Sequence, residues 1–279
     1  MITMSKSTHP VPAVLFLLLV FCSATAYGAP KARLWSRWQA NDPHSHVIVD
    51  HTAWDRLLQR YVDSHHPSGI NRFAYSRVSP QDRQALKDYL RKMQKIKVSG
   101  LNRKEQEAYW INLYNSLTVE VILEHYPVRS IRDIDISPGF FSNGPWDAKL
   151  LKIEGVDVTL NDIEHRILRP IWRDNRIHYA LNCASLGCPN LQPRAFTAAN
   201  LDMLLGKGAR EFINSPRGVS FAGNRLRLSS IYKWFEEDFG GSAAGIILHL
   251  KKYLNPEKLK KLAAVQKKMT FHYNWDLNE

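Results

Sequence analysis

Residues 176–191 read R-I-H-Y-A-L-N-C-A-S-L-G-C-P-N-L, and we expect the rest of the chain to be organised around this stretch. It opens with β-branched and aromatic residues, a composition typical of a β-strand. Alternate side chains of a strand point to opposite faces, so His178 and Asn182 are predicted to share one face. A glycine and a proline then predict a turn around Cys188. One histidine, one asparagine and two thiols therefore lie close together in sequence.

The longest helical pattern outside this stretch runs from about Arg103 to His125, after Asn102 as its N-cap. Apolar residues cover nearly its whole circumference, which is typical of a buried helix. Asn112 and Asn115 lie three residues apart on it, so we expect both to find partners inside the protein. Two interpretations stay open. The asparagines bond loop carbonyls, or one of them orients a catalytic imidazole or contacts substrate.

Shorter patterns extend the prediction along the chain. Apolar residues at helical spacing predict helices at about 50–62, 80–98, 162–168, 197–214, 230–239 and 243–254. Two alternating runs, each joined by a short turn, predict hairpins at 150–160 and 219–228. We therefore predict an α+β fold with a single globular domain at 29–279. Its helices pack on a small, mostly antiparallel sheet that contains 177–181 and receives the aromatic run 271–276.

Residues 1–28 have the pattern of a secretory signal peptide. Lys6 supplies a positive start, 14–21 is an unbroken apolar run, and small residues follow at 23–29. The apolar run is short for a membrane span. We therefore expect an exported protein, periplasmic or secreted, with no transmembrane segment after signal cleavage. Retention of the segment as an anchor is the alternative.

Charge narrows the expected partners. The chain carries a formal net charge of +12, which is a property of proteins that bind nucleic acid or anionic surfaces. Its Lys and Arg residues are scattered except near the C-terminus, and it has no nucleic-acid-binding motif. We therefore predict no nucleic-acid partner and leave an anionic envelope surface as a possible one.

Cysteine usage limits the chemistry further. Cys22 lies in the predicted signal peptide, so Cys183 and Cys188 are the only thiols expected in the mature protein. In an oxidising compartment such a pair is often a disulfide, although a bridge across so small a loop gains little stability. A closed zinc site usually needs four ligands, and two thiols do not supply them. We predict neither a metal nor a cofactor.

Five ordered motifs resemble one known family. They are Y-W-I-N-L-Y-N at 109–115, L-N-D-I-E-H at 160–165, I-H-Y-A-L-N-C-A-S-L-G-C-P-N-L at 177–191, Y-K-W-F-E-E-D-F at 232–239 and Y-N-W-D-L-N at 273–278. Together they resemble the family called domain of unknown function 547, over roughly 79–279. The resemblance implies a fold similar to papain-like or transglutaminase-like cysteine enzymes, in an atypical arrangement. The family name leaves the activity open.

Cysteine catalysis needs a nucleophile, a base and a group that orients the base. We predict His178 as the base, Glu164 or an asparagine of the long helix as its orienter, and Cys183 or Cys188 as the nucleophile. An extended chain would hold His178 far from Cys183, whereas Cys188 lies beyond a turn and could fold back. Cys183 stays a candidate if the chain bends early. The predicted substrate contacts are Asn112, Asn115 and Asn182.

Two functions remain open at this stage. The first is an exported cysteine hydrolase or acyl transferase that acts on a peptide, amide or γ-glutamyl bond of a small peptide or amide substrate. The second is a non-enzymatic envelope binding protein, in which Cys183 and Cys188 form a structural disulfide and His178 is a core residue with its hydrogen bonds satisfied. A titration of free thiols in the native protein discriminates between the two.

Overall fold

The computed structural model describes residues 29–139, 144–264 and 266–279, and the predicted signal peptide lies outside them. Over the described residues the chain forms an α+β fold of helices and small, mostly antiparallel sheets, which confirms the predicted fold class. The helices are α1 (Thr52–Tyr61), α2 (Pro80–Met93), α3 (Arg103–His125), α4 (Arg169–Trp172), α5 (Leu201–Asn214), α6 (Ile231–Trp234), α7 (Ala243–Lys251) and α8 (Pro256–Ala264). The strands are β1 (Val62–Asp63), β2 (Arg72–Phe73), β3 (Leu151–Ile153), β4 (Val156–Val158), β5 (Val219–Ala222), β6 (Arg225–Ser229) and β7 (Gln266–His272).

Helix α3 is buried in the main core, and its burial is as predicted. It begins where the Asn102 side chain accepts a hydrogen bond from the Glu105 N–H at 3.1 Å, an N-cap that satisfies one otherwise free donor. Every residue from Glu105 to Leu123 is buried. Trp110 has no exposed surface, and its ring packs edge-on against Trp38 with 5.1 Å between the ring centroids. A helix apolar on all sides can only be stable when surrounded by protein.

Both predicted hairpins are confirmed. Strands β3 and β4 pair antiparallel, and so do β5 and β6. Strand β7 then pairs parallel to β6, which places the chain after α8 back in the sheet. The predicted return of the closing residues to the sheet is therefore correct as far as His272. No helix of the described residues is long and apolar enough to cross a membrane.

The predicted strand at 177–181 is wrong. Asn175–Tyr179 is a 3-10 helix, which begins where the Asp174 side chain accepts from the Arg176 N–H at 2.8 Å. The alternation that a strand needs is absent, because His178 and Tyr179 are both buried. The segment lies against α5 so closely that a Cβ at Gly208 would lie 2.8 Å from the Tyr179 carbonyl oxygen.

After the 3-10 helix the chain enters a tight loop, residues 183–188, that we call the thiol loop. The C-terminal residues hold it through the backbone: the Leu186 N–H donates to the Asp276 carbonyl and the Gly187 N–H to the Asn274 carbonyl, both at 2.8 Å. Glycine is required at 187, since a Cβ there would lie 2.8 Å from backbone atoms of Asn274. The loop is therefore fixed by chain from the far end of the sequence.

Candidate functional site

The two thiols of the thiol loop face each other. Both cysteines are free, and their sulfur atoms lie 2.6 Å apart. The Cys183 N–H donates to Cys188 Sγ at 2.9 Å. Cys188 is buried, whereas Cys183 is partly exposed. Cys183 is therefore the residue of the pair nearer to solvent.

A tyrosine from the segment after β7 completes the surroundings of the sulfurs. The Tyr273 hydroxyl oxygen lies 3.1 Å from Cys183 Sγ and accepts a hydrogen bond from the Ser185 hydroxyl at 3.0 Å. Because Ser185 supplies that hydrogen bond, the Tyr273 proton is available to the sulfur. A sulfur that accepts several hydrogen bonds is stabilised in its charged form.

The surroundings shift the pKa values of the two thiols in opposite directions. Burial opposes ionisation of Cys188, but hydrogen bonds from Cys183 and Tyr273 outweigh it and lower the pKa of Cys188 to about 7. Burial and the neighbouring Cys188 raise the pKa of Cys183. The pair therefore holds one thiolate near neutral pH, and the second proton stays on the pair.

The three predicted substrate asparagines are all bonded to backbone. Asn112 donates to the Phe196 carbonyl at 2.7 Å and accepts from its N–H at 3.0 Å. Asn115 donates to the Ala180 carbonyl and accepts from the Asn182 N–H, both at 2.9 Å.

Asn182 in turn fixes the thiol loop. Its amide donates to the Pro189 carbonyl at 2.8 Å and accepts from the Ala184 N–H at 2.9 Å. That second bond helps to hold Ala184 in the left-handed region, with φ of 58°. Asn112 and Asn115 thus match the interpretation that they bond loop backbone, and Asn182 does so too. Direct contact of the three with substrate stays a prediction.

His178 is buried away from solvent and has two acidic neighbours. Its Nε2 lies 2.7 Å from Asp238 Oδ2, its Nδ1 lies 3.9 Å from Glu164 Oε1, and its ring stacks on Phe235 with 4.1 Å between centroids. Burial lowers the pKa of His178, although Asp238 acts in the opposite direction. We therefore describe it as a neutral imidazole whose Nε2–H donates to Asp238, which leaves Nδ1 as an acceptor toward Glu164.

Asp238 connects this histidine to a buried cation. Its Oδ2 also accepts from Arg169 Nε at 2.5 Å. Burial would raise the pKa of Asp238, but the hydrogen bonds from His178 and Arg169 lower it to about 2. Glu164, His178, Asp238 and Arg169 together form what we call the buried charge network. Asp238 is its permanent anion and Arg169 its permanent cation.

Glu164 is a member of the network whose pKa depends on the charge of a thiol. Burial raises its pKa to about 7, Arg169 opposes the rise, and a Cys188 thiolate adds to it. The Tyr114 hydroxyl also bonds to this carboxyl. A carboxyl with a pKa near neutrality can both give and take a proton at physiological pH. Such perturbed groups are often found at functional sites.

The structure therefore brings the predicted catalytic residues together in two pairs. Cys183 contacts Cys188, and His178 approaches Glu164. Among the described residues, His178 makes no hydrogen bond to either sulfur, and its Nε2 is bonded to Asp238 instead. No group of three or more His, Cys, Asp or Glu side chains in this part of the chain is placed to hold a metal ion.

Half-buried aromatic rings cluster around Tyr273. The rings of Trp234, Tyr273 and Trp275 have centroids 4.7–5.7 Å apart, and Trp146 follows at 5.9 Å from Trp275. Tyr273 carries the hydroxyl that contacts Cys183. Tyr273 therefore connects this aromatic cluster to the thiol loop.

Sequence reasoning did not select Arg169, Asp238, Tyr114 or Tyr273 as site residues. A signal for three of them was present, because Tyr114 lies in the motif at 109–115, Asp238 lies in the motif at 232–239 and Tyr273 opens the motif at 273–278. All three motifs lie far along the chain from the thiols, so only their order, and no spacing rule, pointed to the site. The pairing of Arg169 with Asp238 has no sequence signal.

The described residues thus define an α+β protein with two contacting free thiols and a buried carboxyl–histidine network beside them. Residues 98–213 match the family model described as protein of unknown function, DUF547, which agrees with the resemblance that the motifs carry. The matched span includes α3, Glu164, His178 and the thiol loop, whereas Asp238 and Tyr273 lie outside it. Comparisons with curated proteins and with solved structures found no match.

Proposed function

We propose that the protein is a cysteine-dependent hydrolase or acyl transferase that acts on a peptide, amide or γ-glutamyl bond. One observation carries the proposal: two free sulfur atoms lie 2.6 Å apart, and the pair holds a thiol whose pKa is lowered to about 7. The charge of that thiol in turn raises the pKa of a buried carboxyl, Glu164, which burial already brings to about 7. A thiolate is the nucleophilic form of cysteine. A carboxyl of that pKa is suited to general acid–base catalysis near neutral pH.

The proposed roles follow from which group has a pKa that depends on the charge of the Cys188 thiolate. The pKa of Glu164 responds to a Cys188 thiolate, while His178 is bonded to Asp238. We therefore assign Glu164 as the proton donor to the leaving group and the base for the attacking water. His178 and Asp238 are positioning residues. His178 lies next to Glu164, and Asp238 fixes the His178 ring through a hydrogen bond. These roles reverse the order expected from the sequence, in which His178 was the base and Glu164 its orienter.

The attacking sulfur remains one of the pair. Cys183 is the more accessible sulfur and Cys188 the more acidic. Attack on an acyl carbon forms a thioester and expels an amine or alcohol, which takes a proton from Glu164. Water then attacks the thioester as the Glu164 carboxylate removes its proton, and the sulfur leaves as a thiolate.

The test uses p-nitrophenyl acetate as a generic acyl donor with fully reduced protein. We expect a burst of p-nitrophenolate and a thioester on one cysteine by intact mass, lost in the matching Cys183→Ser or Cys188→Ser variant. Glu164→Gln should slow hydrolysis of the thioester about 10²-fold or more, the typical contribution of a positioned acid–base group. Glu107→Gln is the matched control, because Glu107 is another buried carboxyl whose pKa burial raises to about 7.

A competing function is a non-enzymatic binding protein in which the two sulfurs form a structural disulfide. The close approach of the sulfurs and the bonded state of His178 favour it. Acylation of the reduced protein no faster than that of an unperturbed thiol would reject the enzyme and leave this alternative.

Export belongs to the same proposal and rests on the residues 1–28 pattern alone. Sequencing the N-terminus of material from the periplasm or medium should find a start near Tyr27 or Ala29. An intact Met1 in the cytoplasm would reject export.

A further inference from the structure

We propose that Cys183 and Cys188 form a reversible dithiol–disulfide couple that exchanges with organic disulfides. The couple goes beyond the proposed acyl-transfer function and does not rest on it. The sulfur atoms lie 2.6 Å apart, so a shift of roughly 0.5 Å brings them to the bonded distance of about 2.05 Å. A geometry so close to bonding makes the internal disulfide accessible without rearrangement of the fold.

The loop around the pair is held independently of the sulfurs. Backbone bonds from 186 and 187 to the C-terminal segment fix one side, and the Cys188 N–H donates to the Ser185 carbonyl at 3.1 Å. Asn182 fixes the other side through Pro189 and Ala184. Because the loop is already closed, a bond across it constrains little additional chain. The bond would contribute little to folding stability, unlike a structural disulfide.

The hydrogen bonds around the two sulfurs suit exchange. Tyr273 and Ser185 form a hydrogen-bonded chain to the sulfurs, which stabilises the reduced thiolate form. A dithiol whose reduced form is stabilised has a disulfide that is easily reduced. Cys183 is the partly exposed residue of the pair and Cys188 is buried, so we expect Cys183 to meet a second molecule and Cys188 to resolve the mixed disulfide.

The exchange balances with an organic disulfide R–S–S–R as the oxidant. The Cys183 thiolate, formed when the shared proton sits on Cys188, attacks one sulfur and expels R–S⁻, leaving a Cys183–S–S–R mixed disulfide. The expelled thiolate takes the Cys188 proton. The Cys188 thiolate then attacks Cys183 Sγ, breaks its bond to S–R and releases the second R–S⁻. Two electrons pass from the pair to the organic disulfide.

Oxidation also has a consequence for catalysis. In the disulfide neither sulfur is present as a thiolate, which is the nucleophilic form. Acyl transfer therefore stops until the disulfide bond is reduced. Only this consequence rests on the proposed function.

The test equilibrates the full-length protein with defined mixtures of reduced and oxidised glutathione, followed by acid quench, alkylation and intact mass measurement. We expect both thiols to disappear together in one two-electron transition that reduced glutathione reverses. Tyr273→Phe should shift the equilibrium constant about tenfold toward the disulfide, since it removes a hydrogen bond to the thiolate. Tyr126→Phe is the matched control, because its hydroxyl bonds to Glu279 and should leave the equilibrium unchanged.

Two outcomes would overturn the couple, and a third would overturn the role of Tyr273 in it. A stable glutathione adduct on Cys183 without an internal bond would show that Cys188 does not resolve it. A bond that no glutathione ratio opens in the folded protein would show a structural disulfide. An equal shift in Tyr126→Phe and Tyr273→Phe would show that the thiolate is not stabilised by the Tyr273 hydroxyl. None of these readouts needs an acyl substrate, so failure of the couple and failure of the hydrolase remain distinguishable.

Discussion

The buried carboxyl of Glu164 predicts a specific pH dependence of stability. Its pKa is raised from an ordinary value of 4.5 to about 7, with burial as the largest cause. Below pH 4.5 the carboxyl is protonated in both the folded and the unfolded chain, so folding carries no ionisation cost. Between pH 4.5 and about 7 the unfolded chain releases the proton while the folded chain keeps it. The unfolding free energy therefore falls as pH rises through this window.

The size of the effect follows from the pKa rise. From 4.5 to about 7, at about 1.36 kcal/mol per pKa unit, it corresponds to a loss of about 3 kcal/mol by pH 8. Glu164→Gln keeps the shape and the hydrogen bond to Tyr114 but has no proton to release. The difference between variant and wild type should therefore change by about 3 kcal/mol in favour of the variant between pH 4.5 and pH 8.

The assay is urea unfolding of reduced protein at half-unit steps of pH, with wild type and variant measured in parallel. Glu107→Gln serves as the control, since its pKa is also raised to about 7 by burial. Glu107→Gln should show a similar change in the pH dependence of the unfolding free energy. It should leave the rate of thiol alkylation unaltered. Parallel stability curves for Glu164→Gln and wild type would refute the assignment of a protonated, buried carboxyl beside the thiols.

Two further predictions concern the core. Trp110→Ala should lower the unfolding free energy by about 3–5 kcal/mol, because it empties a fully buried aromatic site. Leu248→Ala, at an exposed position, should change the unfolding free energy by only about a few tenths of a kcal/mol. Equal effects of the two substitutions in thermal unfolding would contradict the burial of α3. Asn115→Ala leaves the Ala180 carbonyl and the Asn182 N–H without their partner, so we expect a loss of about 1–3 kcal/mol per unpaired group and faster hydrogen exchange at the Asn182 amide. An unchanged exchange rate there would show that Asn115 does not hold this segment.

Local rules predicted the elements whose stability comes from their own sequence. Asn102 caps α3 as expected, because a capping side chain bonds a backbone N–H only three residues away, and Ser79 caps α2 in the same way. The hairpin turns at Glu154-Gly155 and Gly223-Asn224 depend equally on neighbouring residues. The apolar circumference of α3 also fixed its burial, since no arrangement leaves such a helix in water.

Local rules failed where packing from distant segments determines the backbone. The β-branched and aromatic residues of 177–181 favour a strand, but here Asn115 bonds the Ala180 carbonyl and α5 closes against Tyr179. Backbone groups satisfied by side chains and helices have no need of a neighbouring strand.

The same distinction between local sequence rules and contacts from distant segments applies to the residues of the site. The motifs alone indicated that two thiols, a histidine and an acidic residue belong to one site. Their partners come from the folded chain: Asp238 for His178, Tyr273 for the sulfurs and burial for Glu164. Those residues lie up to 90 positions apart in sequence, as Cys183 and Tyr273 do. Hydrogen bonds and desolvation act over a few ångströms of space, so no short-range pattern in the chain reports them.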